Sequence, residues 1–486
     1  MIQFLFNNEV VSLESTRADT TVLQWLREVR KKTGTKEGCG SGDCGACTVV
    51  LASVVVEEGQ ETLHYESVNS CITFVGALHA KQLITVEHLE HNGQLHAVQQ
   101  AMVDEHGSQC GFCTPGFIMS MFALVHRDAP MPDNQQQKRL AIKHALSGNL
   151  CRCTGYVPIV RAAERATANI IDDAFTATSG NTIDRLKAIE SNKPMHPRFM
   201  VPLTLSELGA MRIQYPQARL LAGGTDLALE VTQQLRDINE IIYVKAVPEL
   251  VAVDVTEKRI RLGAAVSLNR CMNVLKTEVP SSEAMMLRFG SEQVRNQGTV
   301  GGNIANASPI GDLPPLLLAL NARLELLCGQ SKRLVDIDNF YLDYKKTAME
   351  KNECLSAIEI PIPKPETQTK IYKISKRFDD DISSVCAVFS LTLENETVKD
   401  VRVAFGGMAA TPKRALGVEA ALRDQPFTES AISRALSALS TDFSPISDAR
   451  ASADYRLRVA GNLLKRCWIE ITLPESNVTV SDYVGG

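Results

Sequence analysis

The chain has 486 residues, of which 44% are apolar and 22% charged, a composition typical of folded globular proteins. Its formal net charge of -5 provides no broad cationic surface, so neither nucleic acid nor an anionic membrane is expected as a partner. There is no basic leader followed by a long apolar stretch, and no run of about 18 apolar residues, so we expect a cytoplasmic protein. Because the chain is too long for one ordinary core, we expect two to four domains.

Residues 1–88 have the pattern of a small β-grasp domain of the ferredoxin type. Short strands are predicted over 2–6 and 10–13, followed by a helix over 21–30. After a cysteine-bearing loop come two β-rich runs, 48–56 and 64–68, and residues 81–86 are expected to close the sheet.

The pattern changes to helix over residues 89–169, where apolar residues recur at helical spacing and cysteines occupy loops and helix ends. We expect a compact four-helix bundle. Residues 170–197 contain few large apolar residues and end in one Lys-Pro pair and one His-Pro pair, so they are predicted to be a linker.

The remaining residues predict two α+β domains. Residues 198–367 alternate short strands, glycine turns and helices, and prolines at 361, 363 and 365 then interrupt the chain. Strands over 371–374, 385–394 and 400–405, with helices over 414–423 and 428–438, indicate a smaller domain over 368–486. The expected fold class is therefore multidomain α+β.

Eight of the thirteen cysteines fall in the first third of the chain, and in the absence of a secretion signal metal ligands are favoured over disulfides. Cys39, Cys44, Cys47 and Cys71 have the C-x4-C-x2-C spacing with a distant fourth cysteine that is typical of plant-type [2Fe–2S] clusters. Four neighbouring glycines leave room for backbone N–H groups to approach a cluster. Zinc and chance core thiols remain alternatives. The formal G-x-G-x-x-G match at 40–45 is rejected as a dinucleotide fingerprint because it follows a helix and is interleaved with cysteines.

A second quartet consists of Cys110, Cys113, Cys151 and Cys153. The spacing C-x-C is rare for zinc, although zinc stays open on spacing alone. The other five cysteines have no mutual ligand spacing and are predicted to be core thiols. No histidine pattern indicates catalysis, and no catalytic residue is predicted.

The segments CGSGDCGACTVV, SQCGFCTPGF and LSGNLCRCTGY resemble the two-cluster iron–sulfur domains of the xanthine dehydrogenase family of molybdenum hydroxylases. The resemblance implies that the second quartet also binds a [2Fe–2S] cluster. It further implies that Gln109 faces a molybdopterin cofactor held by a partner.

Two paired-glycine segments, 221–227 and 299–303, follow short strands and could present bare N–H groups to a pyrophosphate. Each alone is more often structural. Both resemble the FAD-binding domain of the same family, in the same order. The resemblance implies an FAD site formed by Leu220, Leu221, Ala222, Gly223, Gly224, Thr225, Asp226 and Leu227, by Thr299, Val300, Gly301, Gly302 and Asn303, and by Phe289, Ser308, Asp312, Leu355 and Lys373.

Residues 373–381 form a charged run whose simplest interpretation is a solvated loop. The family resemblance places this loop over the flavin, where its charges would tune access of the electron acceptor. That role is a hypothesis.

The resemblance implies an electron-transfer subunit for an enzyme that oxidises hypoxanthine to xanthine and urate. Electrons would pass from molybdenum in a separate large subunit through two [2Fe–2S] clusters to FAD and then to NAD+, in a dimer of heterodimers. Two alternatives stay open: a subunit of an aldehyde or N-heterocycle hydroxylase that uses oxygen or a quinone, and a stand-alone redox carrier or sensor.

Overall fold

The computed structural model describes residues 1–14, 16–57, 59–168, 173–476 and 478. The chain forms two compact units. The first contains Met1–Pro248, Ser267–Asn269 and Gly290–Gly298, and the second contains Glu249–Val266, Arg270–Phe289 and the residues from Thr299 onward. Positions 170–172 of the predicted linker, and positions 477 and 479–486 of the predicted C-terminal domain, lie outside the described residues.

The N-terminal domain is a β-grasp fold, as predicted. Its five-stranded sheet has the order β2-β1-β5-β3-β4, with β1 parallel to β5 and the other pairs antiparallel. A capping box between Thr21 and Gln24 starts its helix, and Trp25 packs edge-on against Phe4 and Phe6 in the core. The elements are β1 (Ile2–Phe6), β2 (Glu9–Leu13), α1 (Val22–Gln24) continuing as a π-helical turn (Trp25–Val29), β3 (Thr48–Glu57), β4 (Gln60–Asn69) and β5 (Gln82–Ile84).

The next domain is the predicted four-helix bundle. It consists of α2 (Ala97–Asp104), α3 (Thr114–Val125), α4 (Gln135–Leu146) and α5 (Val157–Ala166). Helix α3 is buried from Gly116 to Leu124, because it is apolar on all sides and the other three helices pack around it.

The predicted linker is only partly a linker, and this corrects the expectation from sequence. It contains α6 (Ala174–Ala177) and α7 (Ser179–Glu190). Helix α7 buries Leu186 and Ile189 against Leu5 and Leu63 of the β-grasp domain. Two apolar residues at helical spacing are enough for one narrow contact stripe, but too few to distinguish this helix from a linker by composition.

The first unit also contains a small parallel sheet with the order β6-β8-β7. It packs on the β-grasp core, where a Cβ on Gly76 would lie 2.4 Å from the Phe199 ring. Its elements are β6 (Phe199–Met200), α8 (Leu205–Gln214), β7 (Arg219–Leu221), α9 (Ala228–Thr232) and β8 (Ile241–Tyr243).

The next stretch forms an antiparallel sheet with the order β12-β11-β15-β10-β9 in the second unit. Helix α13 and the first residues of α10 and α11 belong to the first unit. The elements are α10 (Pro248–Val251), β9 (Val253–Val255), β10 (Arg259–Gly263), α11 (Leu268–Glu278), α12 (Glu283–Leu287), α13 (Glu292–Gln297), α14 (Val300–Ala305), α15 (Leu313–Ala319), β11 (Arg323–Cys328), β12 (Ser331–Asp336), β13 (Tyr341–Asp343), β14 (Lys346–Thr347) and β15 (Cys354–Pro361).

The C-terminal part is a four-stranded antiparallel sheet covered by helices, around a core that includes Phe389, Phe405 and Leu464. Its elements are β16 (Thr367–Ile374), β17 (Val385–Glu394), β18 (Thr397–Gly406), β19 (Lys413–Arg414), α16 (Leu416–Leu422), α17 (Glu429–Asp442) and α18 (Ala453–Thr472). None of the described helices combines the length and apolar character that crossing a membrane requires. The predicted multidomain α+β fold is confirmed.

Candidate functional site

The first cysteine quartet converges as two pairs of thiols. Cys39, Cys44 and Cys47 lie on the loop before β3, and Cys71 lies in a 3-10 turn after β4. The sulfurs of Cys47 and Cys71 are 3.3 Å apart. Cys39 and Cys44 share a hydrogen bond, which lowers the pKa of Cys39 to about 4 and raises that of Cys44.

This pairing distinguishes between the metal centres that four thiols can hold. Tetrahedral zinc gathers all its thiolates around one point, whereas a two-iron cluster takes two thiolates on each iron. Among the described residues, the cysteines provide no group of three ligand atoms that all lie within 4.8 Å of one another. The quartet is therefore too spread for one ion and fits a two-iron centre.

The loop around these thiols depends on bare backbone. A Cβ on Gly38 would lie 2.7 Å from the Cys44 sulfur, and Gly42 has a φ of +83° that side chains disfavour. The backbone N–H of Ser41 donates to the Cys39 sulfur at 3.4 Å. The loop is thus shaped to surround sulfur ligands.

The second quartet is also paired. Cys113 precedes α3, and Cys151 lies in the turn before α5. The sulfurs of Cys110 and Cys153 are 3.4 Å apart, and Cys113 and Cys151 form the other pair through a hydrogen bond. Burial raises the pKa of Cys113 to about 12.

Hydrogen bonds compensate for burial at Cys151. Burial alone would raise its pKa, but Thr154 donates both its N–H, at 3.5 Å, and its hydroxyl, at 3.1 Å, to the Cys151 sulfur. Together with other hydrogen bonds these lower the pKa of Cys151 to about 7. This thiol is therefore prepared for ligation as a thiolate.

The two cysteine loops contact each other directly, backbone against backbone. The N–H of Leu150 donates to the carbonyl of Cys44 at 3.0 Å, and Asn149 Nδ2 donates to the carbonyl of Gly45 at 3.0 Å. A Cβ on Gly45 would lie 2.2 Å from the Gly148 carbonyl oxygen. Only glycine permits this approach.

Sequence reasoning missed the buried polar helix α13, which supports both loops. Gln293 Nε2 donates to Ser120 Oγ at 3.0 Å and to Asn149 Oδ1 at 3.1 Å. Gln297 Oε1 accepts from the N–H of Asn69 at 3.2 Å. No sequence signal identifies these residues, because a short run of polar residues has the pattern of a surface helix.

The first glycine segment fits an anion cradle. It is the turn between β7 and α9, and Gly224 has a φ of +79°. All residues of this turn are described, and none of the backbone N–H groups of residues 222–227 donates a hydrogen bond to a protein acceptor. Lys245 lies beside this turn. Its Nζ donates to the carbonyl oxygen of Gln297, and a Cβ on Gly223 would lie only 2.1 Å from the same oxygen. Burial lowers the pKa of Lys245 to about 8, and a bound anion would restore it.

The second glycine segment differs from the expectation of bare N–H groups. It forms the start of α14, and the N–H groups of Val300, Gly301 and Gly302 donate to Val266, Ala264 and the Thr299 hydroxyl. Gly301 is required because a Cβ would lie 2.6 Å from Ala264. The atom left for a ligand is Asn303 Oδ1, which is buried and has no hydrogen-bond partner.

The other predicted flavin residues lie in the second unit, where two of them touch. Lys373 Nζ contacts Asp312 Oδ2 at 2.6 Å, with both side chains almost fully buried. Ser383, which sequence reasoning missed, bonds to both at 2.5 and 2.8 Å. Leu355 is buried on β15, Ser308 Oγ caps a turn at Ile310, and Phe289 follows α12.

The charged run over 373–381 is not a simple solvated loop. Lys373 is buried, and the Arg288 guanidinium lies 4.3 Å from the centre of the Phe378 ring while donating to the carbonyl of Lys373. Asp379 Oδ1 is buried without a hydrogen-bond partner. The loop is therefore held by specific contacts.

Four family models match the chain in sequence order. They are a 2Fe-2S iron-sulfur cluster binding domain over 6–76, a [2Fe-2S] binding domain over 85–164, an FAD binding domain in molybdopterin dehydrogenase over 193–363, and a CO dehydrogenase flavoprotein C-terminal domain over 370–471.

Curated relatives include xanthine dehydrogenase 2 of Arabidopsis thaliana, 30% identical over 87% of this chain and 36% of that protein. Xanthine dehydrogenase/oxidase of Rattus norvegicus is 32% identical over 84% of this chain and 34% of that protein. The chain thus spans well under half the length of these relatives. Among solved structures, a carbon monoxide dehydrogenase from Hydrogenophaga pseudoflava is 28% identical, with a TM-score of 0.53 over 57% of this chain and 96% of that chain.

The matches extend through both iron–sulfur domains, the FAD domain and the C-terminal domain, in the order in which the structure presents them. The chain therefore belongs to the molybdenum hydroxylase family, as an iron–sulfur and FAD electron-transfer module.

Proposed function

We propose that this chain is the electron-transfer subunit of a xanthine dehydrogenase. Electrons would enter from a molybdenum cofactor on a separate large subunit, pass through two [2Fe–2S] clusters to FAD, and leave to NAD+. The substrate class is taken from the names of the relatives at 30–32% identity. A dimer of heterodimers in the cytoplasm is part of the same proposal.

The arrangement of eight thiols as four pairs carries this proposal. We propose that one cluster is held by Cys39, Cys44, Cys47 and Cys71, and the other by Cys110, Cys113, Cys151 and Cys153. Paired thiols supply two ligands to each iron, and the Cys44–Leu150 hydrogen bond joins the two ligand loops directly. Both sets lie in the first unit, so a single folded body would hold both clusters.

Exposure gives the proposed electron path a direction. Cys110 and Cys153 are exposed, as are Gln109 and Phe112 beside them, whereas Cys47 and Cys71 are buried. Cys39 and Cys44 are half-buried, so the fully exposed thiols all belong to the second quartet, which favours it as the one that a partner's cofactor approaches. We propose that the second quartet receives electrons first and passes them to the first quartet.

The flavin supplies the conversion between single electrons and a two-electron hydride. The residues around it have separate tasks. In the first unit, the free N–H groups of 222–227 would hold the pyrophosphate with help from Lys245. In the second unit, Asn303 Oδ1 offers an acceptor to a ligand donor, and the buried Lys373–Asp312–Ser383 set holds the start of the charged run over 373–381.

Two measurements test the proposal. Protein purified without air is expected to contain iron and acid-labile sulfide in equal amounts with one FAD per chain, and NADH is expected to bleach its flavin absorbance anaerobically. With the copurified large subunit, xanthine should be oxidised to urate with reduction of NAD+. Absence of labile sulfide would refute the clusters, and flavin that NADH leaves oxidised would refute the NAD+ assignment.

A second candidate is the corresponding subunit of another molybdenum hydroxylase that passes electrons to oxygen or a quinone. The likeness to carbon monoxide dehydrogenase structures supports it, because that likeness spans 96% of the matched chain. Steady-state assays that offer xanthine, aldehydes and N-heterocycles in turn, with each acceptor, discriminate the two. A stand-alone carrier would purify with no large subunit.

A further inference from the structure

The first unit contains a group of metal-ligand side chains that includes none of the eight paired cysteines. His96 precedes α2, His126 follows α3, and Asp173 precedes α6. Their ligand atoms all lie within 4.8 Å of one another, and no other such group occurs in the part of the chain that the structure describes. Their side chains are only 5%, 7% and 10% exposed.

Both imidazoles face the same carboxylate oxygen. Asp173 Oδ2 lies 2.7 Å from His96 Nε2 and 2.9 Å from His126 Nε2. The other oxygen, Oδ1, caps α6 by accepting from the N–H groups of Phe175 and Thr176 at 3.0 and 2.8 Å. Oδ2 is therefore left to interact with the two rings.

The orientation of His126 leaves one of its ring nitrogens without a hydrogen bond. His126 Nδ1 donates to the carbonyl of Phe122 at 3.0 Å, so Nε2 is the ring atom that faces Asp173. His126 Nε2 is buried and has no hydrogen-bond partner, although Asp173 Oδ2 is 2.9 Å away. The ring nitrogen is therefore close to this oxygen without being aligned for a hydrogen bond with it. Such an alignment is expected where a nitrogen and an oxygen share a bound cation.

The arrangement of His96 allows the same coordination with one adjustment. Its Nδ1 accepts from the N–H of Val98 at 3.3 Å, so its Nε2 carries the proton. Binding a metal through Nε2 moves the proton to Nδ1 and gives up this long cap bond. The other hydrogen bond of this capping box, from the N–H of His96 to Gln99 Oε1 at 3.0 Å, is unaffected.

The surroundings make an uncompensated carboxylate unfavourable here. Phe122, Phe175 and Tyr65 enclose the His126 ring at centroid distances of 4.2, 6.3 and 5.0 Å. No lysine or arginine among the described residues forms an ion pair with Asp173. A cation bound at Asp173 Oδ2 would compensate the charge of this buried carboxylate.

We propose that His96, His126 and Asp173 bind a Zn²⁺ ion, with the fourth coordination position open to water. Two imidazole nitrogens and one carboxylate oxygen are a donor set that zinc accepts. The ion would tie the segment that begins at α6 to the helical bundle, since the three ligands come from the ends of three different helices. This site is independent of the iron–sulfur ligands.

The test uses holoprotein with both clusters loaded, so that the eight cysteines are occupied. After incubation with one equivalent of ZnCl₂ and desalting, elemental analysis is expected to find about one zinc per chain in addition to cluster iron. Zinc-edge X-ray absorption should show nitrogen and oxygen neighbours only. Sulfur neighbours would place the zinc on cysteines and overturn the proposal, as would a desalted protein that retains no zinc.

Variants separate ligation from hydrogen bonding. His126→Gln keeps a polar group but is expected to weaken zinc binding at least about tenfold, with iron and labile sulfide unchanged. The exposed His91→Gln is the matched control and should bind zinc like the wild type. A chelator should lower the Tm of the wild type and the control but not of His126→Gln. Equal zinc affinity in all three proteins would overturn the proposal, whereas the iron and flavin analyses judge the proposed function separately.

Discussion

The eight paired cysteines lie in two different environments. Cys47 and Cys71 are buried in the core of the β-grasp domain, whereas Cys110 and Cys153 are exposed. Since the two quartets share no cysteine, the two proposed clusters should be separable by single substitutions.

Replacement of Cys47 is expected to remove one cluster only. We expect Cys47→Ala to lose half of the iron and labile sulfide while FAD is retained, because Cys47 is a ligand of the first proposed cluster and the four thiols of the second quartet are not altered. Iron analysis and electron paramagnetic resonance of the dithionite-reduced protein measure this. Cys328→Ala is the control, since that thiol belongs to neither quartet, and full iron in Cys47→Ala would contradict the assignment.

The buried ion pair at Lys373 gives a second residue-level expectation. Lys373→Met leaves the Asp312 carboxylate buried with Ser383 as its remaining side-chain partner, so we expect a loss of about 3–5 kcal/mol in unfolding free energy. Urea unfolding of the flavin-free protein measures it. Replacing both partners with Lys373→Met and Asp312→Leu should recover most of the loss. A double variant less stable than Lys373→Met would show that the charge is not the cause.

At the scale of elements, a histidine joins strand β4 to the segment between α3 and α4. His64 Nδ1 lies 2.5 Å from Asp128 Oδ2, and its Nε2 lies 3.6 Å from Glu66 Oε1. Chiefly through the hydrogen bond with Glu66, with burial opposing, the pKa of His64 rises to about 9. Because the folded-state pKa is raised above the ordinary value, this contribution is complete below about pH 6.5 and is lost as the pH rises through about 9.

We therefore expect His64→Gln to lower the urea midpoint at about pH 6 and to have little effect at about pH 10. His91→Gln should match the wild type at both pH values, since that side chain is exposed. If His64→Gln lowers the urea midpoint by the same amount at both pH values, this account is wrong.

The contact between the two cysteine loops makes Gly45 a second test at this scale. Gly45 and Gly93 both have positive φ, +67° and +79°, so alanine at either costs about 1 kcal/mol in backbone strain. Around Gly93 a Cβ meets nothing within 4 Å, whereas at Gly45 it would meet a backbone oxygen at 2.2 Å. We expect Gly45→Ala to destabilise by a further 1–3 kcal/mol, about the cost of overpacking, in chemical unfolding. Equal losses in the two variants would show that the loops can separate.

For the whole molecule, patterns local in sequence predicted most of the fold and the cysteine sets. The ligand spacing of Cys39 to Cys47 is set by one loop, so it is visible in the sequence, and the pairing of thiols into two sets of two appears only in the structure. The N–H groups of the turn over 222–227 have no protein acceptor, which is the arrangement that the paired glycines predicted.

What could not be predicted depends on contacts between distant residues. Gln293 reaches Asn149 and Ser120 across 144 and 173 residues, and nothing in its own segment indicates burial. The N–H groups after Thr299 are taken by Val266 and Ala264 of another strand end. Helix α7 was predicted as a linker because its two buried apolar residues are recognised as a contact stripe only when the β-grasp surface that covers them is known.

The unequal burial of two cysteine pairs bears on the order in which the protein is assembled. Cys47 and Cys71 are buried, so we expect iron and sulfide to reach them more readily while the chain is still open, whereas Cys110 and Cys153 are exposed on the folded protein. We expect in vitro reconstitution of folded, iron-free protein to restore the accessible centre within minutes and the deep one only after partial denaturation. Maturation of this chain would then be a sequence in which the inner centre is inserted during folding and the outer one last.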